Sequence, residues 1–161
     1  MQQILQHFHH DHIAMQRMVN ILDREAEFLR DPNDDPDYHL LLDIVEGFLG
    51  PKQHHHYEEE RKLHDCLRYA MPEVTPIIDR LDAEQDLHDK LGQQLTLLLK
   101  ASCSGHLVPR FKLNNLIEEF IAHLNSHIKD EESLIIANAE QWVVESEWSK
   151  LEIAVRLNML P

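Results

Sequence analysis

Residues 111–135, FKLNNLIEEFIAHLNSHIKDEESLI, place apolar side chains at 111, 113, 116, 117, 120, 124, 128, 134 and 135. Steps of three and four put them on one face of a helix. Working outward, the same spacing recurs three times. Residues 2–30 carry it through Leu5, Phe8, Met15, Val19, Leu22 and Leu29. After the breaker DPNDDP (31–36) it returns through Leu41, Ile44, Val45 and Phe48, stops at Gly50-Pro51, and resumes to about Tyr69. A proline is tolerated in a first turn, so that break kinks or restarts the helix. Beyond MPEVTP (71–76), Ile77, Leu81, Leu91, Leu95 and Leu98 lead to SCSGHLVP (102–109). No period-2 segment competes. The pattern predicts an all-α, up-down-up-down four-helix bundle over about residues 2–140. A short C-terminal helix, about 146–159, with Trp148, Leu151, Val155 and Leu157 on one side, is expected to pack across one end.

Composition agrees. Only 4 of 161 residues are glycine, against an average of roughly 7%. A chain that is 43% hydrophobic can bury a core without disulfides. Its length points to a single domain. The balance of 15 basic and 29 acidic residues gives a net charge of −14, which opposes binding to nucleic acid or an anionic membrane. The opening MQQILQHFHHDH lacks the features of a signal peptide, and the longest apolar run, LTLLL, is far too short to span a bilayer. Two cysteines, Cys66 and Cys103, form no CxxC pair. A cytoplasmic setting is expected; a homo-oligomer is left open.

The unusual feature is 13 histidines. In each long helix a polar residue interrupts the apolar stripe near its middle. His127 lies seven residues after Phe120, and Glu131 follows four later. His12 lies between Phe8 and Met15. Counted seven from Phe48, His55 falls on the stripe, with Glu59 one turn on and Leu63 beyond; His88 lies between Leu81 and Leu91. Residues four apart share a helix face, so each His-x3-Glu pair aims at one point. Buried imidazoles and carboxylates are costly without partners, and a metal centre supplies partners for all of them. Nitrogen and oxygen donors without thiolate suit iron, with manganese or zinc as competitors. Two bridging carboxylates imply two metals. The bond count is then about eight where two six-coordinate ions want about twelve. That leaves room for an oxo or hydroxo bridge and a small exogenous ligand.

HHDH (9–12), HHYEEERKLH (55–64) and HIKDEESL (127–134) together resemble the hemerythrin-like (HHE cation-binding) domains, over residues 5 to about 140. The resemblance implies terminal imidazoles at His12, His55 and His127, bridging carboxylates at Glu59 and Glu131, and two iron ions as Fe-O-Fe or Fe-OH-Fe. In the third helix the family's Leu-x-x-Glu-His lines up with Leu81 through Gln85, which replaces the histidine by glutamine. His88, one turn on, is preferred as that ligand because imidazole binds iron better than a neutral amide. His9 or His123 could fill the place of an additional histidine found in invertebrate oxygen carriers. His54 and His56 are read as surface residues or as hydrogen-bonding neighbours of the ligands. His7, His10, His64 and His106 are read as surface residues, and Cys66 as an inert buried thiol. The expected function is binding of O2, or of NO or peroxide, in oxygen or nitrosative-stress sensing, storage or iron handling. Two rivals remain: a di-iron peroxidase or oxidase, and a histidine-rich structural bundle that binds metal incidentally.

Overall fold

The computed structural model describes residues 3–150. It is all-helical, with no strand among the described residues. The helices are α1 (Gln3–Glu27), α2 (Tyr38–Phe48), α3 (Pro51–Ala70), α4 (Thr75–Cys103), α5 (Arg110–Asp130) and α6 (Ala137–Trp142). A 3-10 turn, Pro72–Val74, precedes α4, and a π-helical stretch, Glu131–Ile136, joins α5 to α6.

The connections follow local chemistry. Asp37 caps α2 by accepting the Leu40 N–H at 2.9 Å. The DPNDDP loop is tied to α5 through Arg110, which donates to the carbonyls of Asp31 (2.9 Å) and Asp34 (2.8 Å). The stretch read as one interrupted helix is two. α2 ends at Phe48 and α3 starts on Pro51, where a missing N–H costs nothing. Gly92 of α4 permits a close approach to that junction: a Cβ there would lie 2.8 Å from Leu49 Cδ2. After α4 the chain reverses at Gly105, whose φ of +80° suits glycine.

α2 packs on α4, α4 on α5, α1 on α5 and α2, and α3 on α4 and α1. Two apolar clusters result. One is built from Met15, Val19, Leu22, Leu41, Phe48, Leu95, Phe120, Leu124 and neighbours. The other gathers Leu5, Phe8, Leu63, Leu67, Ile78, Leu81, Ile135, Ala139 and Trp148. Between them, on each long helix, lies a buried polar stretch: His12 on α1, His56 to Glu60 on α3, Gln85 and His88 on α4, and His127 to Glu131 at the end of α5. Trp148 belongs to a helical run at 145–150 and packs into the second cluster, as expected. The rest of the expected C-terminal helix, to 159 and including Leu151, Val155 and Leu157, lies outside the described residues. No helix among the described residues is long and apolar enough to cross a membrane.

Candidate metal centre

The buried polar residues converge. His56 Nε2 lies 2.6 Å and His12 Nε2 3.1 Å from Glu60 Oε1. His12 Nε2 is also 3.5 Å from Glu131 Oε2, and His127 Nε2 is 3.4 Å from that same oxygen. His64 Nε2 lies 3.2 Å from Glu131 Oε1. These donors form two clusters able to hold a cation, His12–His56–Glu60 and Glu60–His127–Glu131, with Glu60 common to both.

Several of these atoms are close without being hydrogen-bonded. His56 Nε2, His127 Nε2 and Glu131 Oε2 are buried and lack a hydrogen-bond partner. An orphaned buried donor or acceptor costs about 1–3 kcal/mol, so three within one layer need a common partner. Two atoms bound to one ion at about 2.1 Å, at right angles, stand about 3 Å apart. The observed spacings fall around that value. The residues present therefore fit cation binding by nitrogen and oxygen donors.

Each imidazole is anchored from behind. His12 Nδ1 donates to Glu132 at 2.7 Å, His56 Nδ1 to Asp11 at 3.2 Å, His127 Nδ1 to Glu84 at 3.2 Å and His64 Nδ1 to Asp82 at 2.7 Å. Such backing fixes the ring and turns the Nε2 lone pair toward the cluster. Carboxylates on both sides set the protonation without metal. Burial disfavours the charged ring of His12, but Glu131, Glu132 and Glu60 outweigh it and hold its pKa up to about 12. Against the same burial, Glu60 and Asp11 hold His56 up to about 9. Asp82 and Glu131 hold His64 up to about 10, and Glu131 and Glu84 hold His127 up to about 9. Glu131, though buried, is held well below the usual carboxylate range by His12, His127 and His64.

His12, His127 and Glu131 lie in the cluster as the sequence suggested; His55 and Glu59 do not. His55 points away from it, with a third of its side chain exposed, and pairs with Glu59 at 2.9 Å. Glu59 is buried outside the cluster, with His7 on its other oxygen at 3.4 Å. The ligand-type positions in α3 are His56 and Glu60, one residue later. The offset arose from counting across the α2–α3 break, where the helical period is lost. Counting inside α3 recovers them: residues 53, 56, 60, 63 and 67 alternate steps of three and four and are all buried.

On α4, Gln85 Nε2 donates to Glu60 Oε2 at 2.9 Å. His88 is buried, but its Nδ1 meets the Tyr57 hydroxyl at 3.3 Å instead of a carboxylate. Burial, with the charge of His127 beside it, pushes the His88 pKa down to about 3. His64, read as a surface residue, is fully buried. His9 sits near the rim, 3.1 Å from Glu132. Cys66 is half-buried, and burial raises its thiol pKa.

A cavity of about 50 Å³ adjoins the site, lined by Asp11, Ala14, Met15, Gln53 and His56 among others. A larger depression of about 430 Å³, walled by Leu97, Leu98, Phe111 and Leu116, contains none of the converging donors.

No curated protein and no solved structure matches this chain. The family model of the hemerythrin HHE cation-binding domain matches residues 3–139. That span covers every donor described above. The chain therefore belongs to the hemerythrin HHE cation-binding domain family.

Proposed function

We propose that this chain is a non-haem di-iron protein that binds a small ligand, O2 first and NO or peroxide as alternatives. The observation that carries the reading is Glu60, shared between two three-donor clusters. A carboxylate in that position suits a bridge between two ions; a single ion would leave His127 or His56 without a partner. His12, His56 and His127 are the terminal imidazoles, and Glu60 and Glu131 the carboxylates between the ions. Two irons so held supply coordination positions that the protein leaves open. Iron is favoured over zinc because the donor set lacks thiolate and has more than four members.

The protein's own contribution is to position and to exclude water. Phe8 packs edge-on against the His56 ring at 5.7 Å between centroids, and Tyr57 closes the layer beside His127 at 6.3 Å. The cavity beside His56, about 50 Å³, has room for a diatomic and none for an organic substrate. This supports binding over turnover of a bulky compound. Oxygen or nitrosative-stress sensing, storage and iron handling all fit such a site. The wider reading is a single cytoplasmic domain in which α1, α2 with α3, α4 and α5 run up-down-up-down and bind neither nucleic acid nor membrane. The test is to load the protein anaerobically with Fe(II) and record absorption on adding O2 and, separately, NO. New ligand-to-iron bands support the reading; spectra unchanged by either gas would contradict it.

A further inference from the structure

Two buried imidazoles of the layer, His64 and His88, have no role in the reading above. His64 lies one turn beyond Glu60 on α3 and is fully buried. Its Nε2 is 3.2 Å from Glu131 Oε1, and its Nδ1 donates to Asp82 Oδ1 at 2.7 Å. This repeats what is seen at His12, His56 and His127: a carboxylate behind Nδ1 and a cluster carboxylate in front of Nε2. His88 has neither half: its Nδ1 meets a phenol, and its Nε2, buried without a hydrogen-bond partner, faces no cluster carboxylate and belongs to neither three-donor cluster. Gln85 turns its amide N–H onto Glu60. α4 thus brings no imidazole against a cluster carboxylate, while α3 brings two.

We propose that His64 is a metal ligand of this centre, supplying the imidazole that α4 does not, with Asp82 as its positioning residue. The proposal rests on the two-ion reading. Physically, an imidazole outcompetes a neutral amide for a first-row ion. Asp82 holds the Nδ1–H tautomer, leaving the Nε2 lone pair free to face Glu131. Asp82 is itself fixed by Arg68, whose Nη2 lies 2.6 Å from Asp82 Oδ2. His56, Glu60 and His64 then form a ladder of donors at every fourth residue of one helix. At about 1.5 Å of rise per residue, the outer rungs are about 12 Å apart along the axis. They therefore serve opposite ends of the pair: His56 with His12 and Glu60, His64 with His127 and Glu131.

The experiment is an anaerobic titration of metal-free protein with Fe(II), with bound iron counted by elemental analysis and folding followed by helical circular dichroism. Wild type should bind two irons per chain. His64→Gln should keep one and weaken the other by about 100-fold or more, and Asp82→Asn should weaken it by about 10–100-fold. His55→Ala, outside the cluster, should change neither. Adding Gln85→His to His64→Gln should return the second iron. If His64→Gln binds two irons as tightly as wild type, the proposal is wrong while the two-ion reading stands. If wild type binds fewer than two, both fall. Cobalt-loaded wild type needs no variant of His64: four strongly shifted imidazole N–H protons are expected, retained in His88→Phe, and three would overturn the assignment.

Discussion

His56 Nε2 stands 2.6 Å from Glu60 Oε1, both from one helix and both buried, yet the nitrogen makes no hydrogen bond. Two groups aimed past each other at a shared point behave as donors awaiting a third body. The pair one residue earlier, His55 and Glu59, is 2.9 Å apart but lies outside the cluster. Metal retention separates the two pairs. His56→Ala and Glu60→Gln should each weaken metal binding by more than about 100-fold, whereas His55→Ala should leave it within about threefold of wild type. Equilibrium dialysis against a metallochromic chelator reads the difference.

Protons and metal compete for the same nitrogens. At pH 7 the rings of His12, His56, His64 and His127 are protonated in the metal-free protein, because their pKa values are raised to about 12, 9, 10 and 9. Metal binding must expel those protons, so affinity should climb from pH 6 through pH 9. Calorimetry at pH 7 in buffers of different ionisation enthalpy should show net proton release. Binding enthalpy independent of the buffer would contradict this.

The same shifts fix the stability of the metal-free protein. Groups whose pKa rises on folding contribute fully below their unfolded value near 6.5, and that contribution is lost progressively as pH climbs from there through about 9. His88 acts oppositely: its pKa falls to about 3, so its contribution is present above 6.5 and is lost on acidification below that. The melting temperature of the metal-free protein should therefore peak near pH 6.5 and fall from there toward pH 9. With metal bound, the alkaline fall should disappear.

The apolar clusters and the polar layer are separable. Phe120 is buried and packs edge-on against Phe48 at 5.5 Å. Phe120→Ala should cost about 3–5 kcal/mol in denaturant unfolding. Below its unfolding midpoint it should still take up wild-type amounts of metal, since both rings belong to the apolar cluster apart from the donors.

Much of this was legible in the sequence, for a definite reason. His12 and His127 were located by counting from Phe8 and Phe120 within the same helix, where the period holds. Glu131 followed from His127 by one turn. His56 and Glu60 were missed because Phe48 belongs to a different helix. His64 is four residues beyond Glu60, so it too falls on the buried face only when α3 is counted from within. The π-helical stretch Glu131–Ile136, which buries Ile135 and Ile136 side by side, was also invisible. No proline or glycine marks that change.

The cavity beside His56 offers a test of access. Ala14→Phe should fill it and slow NO binding to the iron-loaded protein by about tenfold or more, with iron content unchanged. Stopped-flow absorption reads the rate, and an unchanged rate would mean that ligands arrive elsewhere.

The central claim is that two ions share Glu60. X-ray absorption at the iron edge, on protein loaded anaerobically and counted for iron, tests it most directly. Two irons per chain with an iron–iron scattering path in wild type, and the loss of that path in Glu60→Gln, are the expected result. A saturated wild-type chain holding one isolated iron would contradict it.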